Sequence, residues 1–381
     1  MPVSGSAGIL RAGRQAAVTN AETGLGAGRE DPAAASGKTV VIFRLGSLGD
    51  TVAALPCFHA IARRFPEHRR LVLTNVPVAS NAAPLLSVLG EEALVQGSIA
   101  YPVGLRNLGA LLDLRERLKA LKADALVYLA PARSPQAILR DWLFFKFCGF
   151  GSVLGMPWTR DLREARVDAG GVVEREASRL ARNMAVDVAE PNLDDPADWS
   201  LVLSEAEQAT ARRVLAPLAG APFIAVNMGG KAAEKDWGVA NWDALLRQLS
   251  ATAPGHGLVV VGAPSDRARA DELGAAWAGP VLNLCGDLSP RESGAVLERA
   301  ALFIGHDSGP LHLCAVGGAP TIGLFGNYNR PILWHPVGDH VRIIHRMSGL
   351  DRITVSEVVE AAQAMLRPVP TEGAAPAAEM V

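Results

Sequence analysis

A chain of 381 residues, 49% of them hydrophobic and 20% charged, is long enough for about two domains with real cores. No stretch approaches the roughly 20 consecutive apolar residues that span a bilayer, and the N-terminus lacks a continuous apolar leader, so export and a membrane anchor are not expected. A net charge of −2 is not that of a generally basic nucleic-acid binder, and Cys57, Cys148, Cys285 and Cys314 lack metal-ligand or CxxC spacing, which points to a reduced cytoplasmic protein without structural metal.

Residues 1–37 are rich in Gly, Ala and Ser without apolar periodicity and read as a disordered tail, as do 369–381. Thr39 to Phe43 reads as a short buried strand, and the turn Arg44-Leu45-Gly46-Ser47-Leu48-Gly49-Asp50 leads into a helix from Thr51 to Phe65. A first strand, a glycine turn and a helix are how doubly wound α/β domains build a ligand crevice. Only Gly46 and Gly49 of a dinucleotide fingerprint are present, which disfavours a nicotinamide cofactor, and no cofactor is expected. Asp50 either caps the helix or faces a ligand.

Further strands are predicted at Leu71–Thr74, Ala125–Leu129, Phe223–Asn227, Gly257–Val261, Leu302–Gly305 and Thr321–Phe325. Their alternation with helical segments argues for parallel sheets. The stretch Arg140 to Phe147 is unusually aromatic and reads as a buried helix, with a lipid-facing contact as the alternative. The Asp/Pro-rich segment Ala189 to Asp198 and the helix start Ser204-Glu205-Ala206-Glu207 place a boundary between domains. The expected organisation is a domain over 38–190, a linker over 191–203, a second domain over 204–350 and a closing helix within 351–368, at Thr354 to Leu366.

Near the C-terminus, Phe303-Ile304-Gly305-His306-Asp307-Ser308-Gly309-Pro310-Leu311-His312 is a strand running into a polar turn that opens a helix. Unpaired N–H groups and the helix dipole make such a terminus an anion site. Asp307 suits the N-cap, Pro310 the first turn, and His312 falls where it can point back at the same ligand. His306 beside His312 suggests a metal pair, but no third ligand has convincing spacing.

Charge divides unevenly. From Lys38 to Glu190 there are 20 basic and 15 acidic side chains; from Pro191 to Val381 there are 14 and 21. The basic half favours an acidic partner, and Arg63 and Arg64 at the end of the first helix are the candidates to hold it. No nucleic-acid motif accompanies these cations, so no nucleic-acid partner is expected.

Taken together, Arg44, Gly49, Asp50 and Pro56, then Asn227 to Gly230 with Lys235, Trp237 and Trp242, then Asp307, Ser308, Gly309, His312, Ala315 and Pro320 resemble, in order, the motifs of glycosyltransferase family nine, the lipopolysaccharide heptosyltransferases. The resemblance implies the GT-B architecture, two Rossmann-like domains with parallel sheets facing across a cleft. The nucleotide diphosphate sugar donor would lie on the C-terminal half and the acceptor on the N-terminal half, with the last helix crossing back to the first domain. It implies Asp50 as the base of an inverting, metal-independent transfer. Lys235, with the backbone at Gly229, Gly230 and Ser308 to Leu311, would serve the diphosphate. Asp307 and His312 would be donor contacts. Asp266 would approach the ribose, although an N-cap explains that residue equally well, and Lys231 adds a cation near the phosphate loop.

The expected activity is transfer of a heptose from ADP-heptose to an anionic glycolipid such as the lipopolysaccharide inner core, in the cytoplasm, with a peripheral contact at the inner membrane. The turn Gly326-Asn327-Tyr328-Asn329-Arg330-Pro331 departs from the family's Gly-Pro-Thr-Asp-Pro turn beside the donor pocket and bears on which sugar is used. The alternatives are a nucleotide-sugar epimerase of the same fold and a non-catalytic nucleotide-sugar-binding relative.

Overall fold

The computed structural model describes residues 37–76, 85–103, 107–229 and 233–366. The expected tails (Gly37 apart), Arg106, Gly230 and Lys231 lie outside them.

The first domain holds strands β1 (Thr39–Phe43), β2 (Arg69–Val76), β3 (Ser98–Pro102), β4 (Ala125–Tyr128) and β5 (Ser152–Leu154). Its helices are α1 (Leu48–Val52), α2 (Leu55–Arg64), α3 (Leu86–Leu89), α4 (Leu108–Ala120), α5 (Pro135–Phe147), α6 (Arg160–Arg163) and α7 (Glu176–Met184). The sheet is parallel in the order β3-β2-β1-β4-β5. Strands covered on both faces need apolar side chains on both, which is why β1 is Thr-Val-Val-Ile-Phe and β4 is Ala-Leu-Val-Tyr.

The second domain begins with α8 (Glu205–Leu215). It continues through β6 (Phe223–Asn227), α9 (Val239–Thr252), β7 (Gly257–Val260), α10 (Arg267–Gly274), β8 (Val281–Asn283), α11 (Pro290–Leu297), β9 (Leu302–His306), α12 (Gly309–Val316), β10 (Thr321–Phe325), β11 (Val341–His345) and α13 (Val355–Met365). Its sheet is parallel in the order β11-β10-β9-β6-β7-β8. Ser204 with Glu207, Ser289 with Glu292 and Thr354 with Glu357 form capping boxes that fix the starts of α8, α11 and α13.

Each sheet has one point where the strand order reverses, between β1 and β4 and between β6 and β9, and loops leaving the strand ends there splay apart to open a crevice. Polar side chains stitch both points. Arg44 donates to the Leu129 carbonyl (3.1 Å) at the first, and the Ser308 hydroxyl donates to Asn227 Oδ1 (2.8 Å) at the second.

One apolar cluster runs from Val40, Phe58 and Val88 of the first domain to Val296, Leu311 and Phe325 of the second, so the domains share packed surface. Arg291 of α11 pins that interface: it is buried, donates to the carbonyls of Val88 (3.2 Å), Leu201 (2.7 Å) and Val202 (2.8 Å), and pairs with Glu207. On the other side of the junction, Glu176 N–H of α7 donates to the Leu333 carbonyl (2.9 Å). Val202 and Ile332, beside these two contacts, hold left-handed backbone at φ 49° and 72°. The buried residues of α13 pack into the core of the second domain against α9 and β10, which corrects the expectation that the last helix crosses back to the first.

Candidate active site

The turn after β1 presents Asp50. Gly46 holds φ +133°, and a Cβ placed on it would lie 2.5 Å from Asp50 Cβ, so only glycine lets the loop fold over this side chain. Asp50 Oδ2 accepts from Ser47 N–H (2.7 Å) and Ser47 Oγ (2.8 Å), while Oδ1 has no hydrogen-bond partner among the described residues. Asp50 therefore caps α1 with one oxygen and leaves the other free to accept. Beneath it, Arg44 is wholly buried and also donates to the Asp50 carbonyl. Burial pulls the Arg44 pKa below the ordinary guanidinium value, and the carboxylates of Asp50 and Glu176 oppose that shift.

Across the cleft, α12 carries the second part. Its N-cap is Ser308 rather than the expected Asp307, and the Ser308 hydroxyl is committed to Asn227, so no side chain caps the first turn. Asn227, buried at the end of β6, donates in turn to the Val261 carbonyl (2.9 Å). The N–H groups of this turn thus keep the anion-binding capacity of an open helix terminus. The Asp307 carboxylate pairs with Lys235 (2.7 Å) and accepts from Asn329, and Lys235 Nζ lies 4.2 Å from the Tyr328 ring centroid. The departing turn after β10 is thereby part of the same cluster.

Two contacts bring the halves together. A Cβ on Gly49 would lie 3.2 Å from His312 Cδ2, and one on Gly309 would meet Leu48 at 2.9 Å. The first-strand turn and the α12 turn, some 260 residues apart in the chain, close on each other. His312 is buried, and that burial lowers its pKa, with Asp307 and Asp50 opposing and Lys235 reinforcing the effect. It thus lies within electrostatic reach of carboxylates from both sides of the cleft.

Asp266 accepts from Ala263 N–H (2.8 Å), capping the turn after β7, and a Cβ on Gly229 would sit 2.3 Å from its Oδ2. Gly229 thus lets the loop after β6 approach this carboxylate. His306 is fully buried; its Nε2 accepts from Trp237 N–H (3.2 Å), its ring lies against Trp242, and burial lowers its pKa to about 4. It is a core residue, and Trp237 is likewise buried as packing.

Arg63 and Arg64 are not brought to the cleft. Thr39 pairs with Arg69, so the end of α2 just before Arg69 lies at the amino edge of the sheet, opposite the Asp50 turn. Arg63 forms a bidentate pair with buried Asp198, and Arg64 lies against the Phe65 ring. Spacing along the chain suggested proximity to Asp50, but a ten-residue helix carries its last turn about 15 Å away from its first.

Sequence reading also passed over Arg175. Its buried Nε has no hydrogen-bond partner among the described residues, and it lines a cavity of about 480 Å³ between the domains with His312, His335 and Trp199. That cavity does not include Lys235, Asp266 or Asp307, so it lies beside the α12 terminus rather than on it.

Comparison with known proteins accords with this geometry. The model of glycosyltransferase family 9 (heptosyltransferase) matches residues 149–353, more than half of the chain. Lipopolysaccharide heptosyltransferase 3 of Escherichia coli is 30% identical over 144 residues, 37% of this chain and 39% of that protein, so the chain spans well under half the length of this curated relative. Among solved structures, a family 9 glycosyl transferase from Veillonella parvula superposes with a TM-score of 0.66 at 17% identity, covering 86% of this chain and 97% of that one. The E. coli ADP-heptose lipopolysaccharide heptosyltransferase II gives 0.61 at 18% identity, with 86% and 98% covered. E. coli heptosyltransferase WaaC with ADP gives 0.60 at 17% identity, with 86% and 99% covered. These likenesses establish the GT-B fold of two parallel-sheet α/β domains. The chain belongs to glycosyltransferase family 9.

Proposed function

We propose that the chain transfers a heptose, with inversion, from ADP-heptose to an anionic, lipid-borne glycan of the inner-core type. The observation that carries this reading is the closure of the Asp50 turn on the Asp307–His312 turn, which sets a free carboxylate oxygen across the cleft from an uncapped helix terminus and Lys235. In a single displacement, Asp50 Oδ1 takes the acceptor hydroxyl proton, the acceptor oxygen bonds to the anomeric carbon, and the bond from that carbon to the diphosphate breaks. The departing diphosphate is received by Lys235 and the first-turn N–H groups of α12, a preorganised cationic site that serves this role without a metal ion. Asp307 holds Lys235 extended while Gly229 lets the phosphate loop approach. Gly230, Ser308, Gly309 and His312 complete the donor side, and Asp266 faces the ribose. The anionic group of the acceptor is assigned to Arg175 in the interdomain cavity rather than to Arg63 or Arg64.

Asp50→Asn tests the central role. An amide oxygen can still accept from Ser47, so capping survives while proton acceptance does not. Turnover with ADP-heptose and purified acceptor is expected to fall by about 100-fold or more, with donor affinity within a few-fold. Near-normal turnover would reduce Asp50 to a cap. An epimerase would convert the donor sugar with no acceptor present, so the same assay separates that alternative.

A further inference from the structure

Helix α5 turns Ile138, Asp141 and Phe145 into the core. Its outward side exposes Leu139, Arg140, Leu143, Lys146 and Phe147, whose spacing puts them on one face. Leu139, Leu143 and Phe147 are each about half exposed (49%, 53% and 56%), an unusual outlay of large apolar side chains for one helix. No carboxylate shares that face. Asp141, the acid of this helix, is buried and taken up by Tyr128, Arg133 and Arg140.

Neighbouring elements extend the pattern. Trp158, 50% exposed, packs edge-on to Trp142 with ring centroids 5.8 Å apart. From α4, the Arg115 guanidinium lies 4.4 Å from the Phe147 ring centroid. The acids of α4 nearest this side, Glu116 and Asp113, are paired with Arg115 and Arg117. β5 ends at Leu154 on the carboxyl edge of the sheet, the edge that also carries the Asp50 turn, and Trp158 follows it by four residues. The patch therefore runs along the flank of the first domain up to the cleft edge.

We infer that this face docks the protein on an anionic lipid bilayer. An apolar ridge flanked by cations matches a surface with acyl chains below and phosphates above, and an exposed indole suits the interface between them. Charge argues against a second copy of the chain. A two-fold contact through this face would set Lys146 against its own symmetry mate, with the acid of the helix, Asp141, already buried and taken up. The inference takes from the proposed function only that the acceptor is lipid-borne, and it does not depend on which sugar is transferred.

The test is co-sedimentation of the full chain with vesicles of phosphatidylcholine alone and of phosphatidylcholine with phosphatidylglycerol. Binding is expected to the anionic vesicles, weakening as salt rises. The double variant Leu143→Ser, Phe147→Ser should lose about tenfold or more of that binding, while Lys146→Gln should flatten its salt dependence. Transfer to a delipidated, soluble acceptor should be unchanged in the double variant. Absence of binding to anionic vesicles, or equal binding by the double variant, overturns the inference and leaves the transferase reading intact. A concentration-dependent dimer that the double variant abolishes overturns it in favour of a second copy. Failure of soluble transfer by the unmodified chain, with vesicle binding retained, would instead count against the proposed activity.

Discussion

Arg63 and Arg175 show how two cations of one domain acquire different uses. Arg63 is spent on Asp198, whose carboxyl the guanidinium holds below the usual carboxylate range, and that pair fastens the linker to α2. Arg175 faces a cavity with room for a ligand, and its charge joins burial, the chief cause, and His345 in lowering the His335 pKa to about 4. Arg175→Ala should therefore raise the acceptor Michaelis constant by about tenfold and make the rate less sensitive to salt, with donor affinity unchanged. Arg63→Ala should lower the melting temperature and leave the acceptor constant near normal. Steady-state kinetics at two ionic strengths, with thermal melts of both variants, checks the pair of outcomes. The sequence carried the charge of each arginine plainly, but whether a buried acid had already claimed it depends on Asp198, 135 residues away.

Among the elements, β9 and its turn were the most legible, because an apolar run, a polar turn and a Pro in the next turn each have a local physical cause. The strands named from the sequence end within a residue or two of those observed, whereas β3, β5, β8 and β11, the partly exposed edges of the two sheets, were not named. What stayed hidden was side-chain partnership across the switch points. Nothing local distinguishes Ser308 bonding Asn227 from Ser308 capping α12, and nothing local reveals that Asp307 is occupied by Lys235 and Asn329. His306, at the end of β9, also carries an energetic consequence. Its ordinary pKa of 6.5 is lowered to about 4, chiefly by burial, with Asp236 and Asp307 opposing and Arg269 reinforcing. Because the unfolded chain takes up the proton first, the stabilisation is complete above pH 6.5 and is lost as pH falls toward 4, by up to about 1.4 kcal/mol per pH unit for this group. Thermal melts between pH 7.5 and 4.5 should show that decline, and His306→Asn should make it shallower.

For the whole molecule, the relation between domains rests on the shared apolar cluster and on Arg291 at its margin. Arg291 satisfies carbonyls on both sides of the junction, so Arg291→Ala leaves Glu207 and three acceptors short of a partner. The cost should be about 3 kcal/mol of stability, accompanied by faster proteolytic cleavage within 191–203, as read by chemical denaturation and limited proteolysis. That the chain builds two parallel sheets was foreseeable from the alternation of strands and helices, whereas the docking of α13 and the reach of Arg291 were not, since each depends on contacts that no local pattern encodes.

The two left-handed residues at the junction add a last consequence. A β-branched side chain at φ 49° or 72° costs roughly 1–2 kcal/mol, and neither Val202 nor Ile332 lies within a strand or helix that would demand it. That free energy is held in the joints and by neither domain, so a rearrangement that lets Val202 relax to extended backbone returns it. Arg291, gripping the Leu201 and Val202 carbonyls, is the catch, and the backbone it grips is a loaded spring. Relaxing Val202 would require Arg291 to release both carbonyls, so the backbone strain and the grip across the junction stand or fall together.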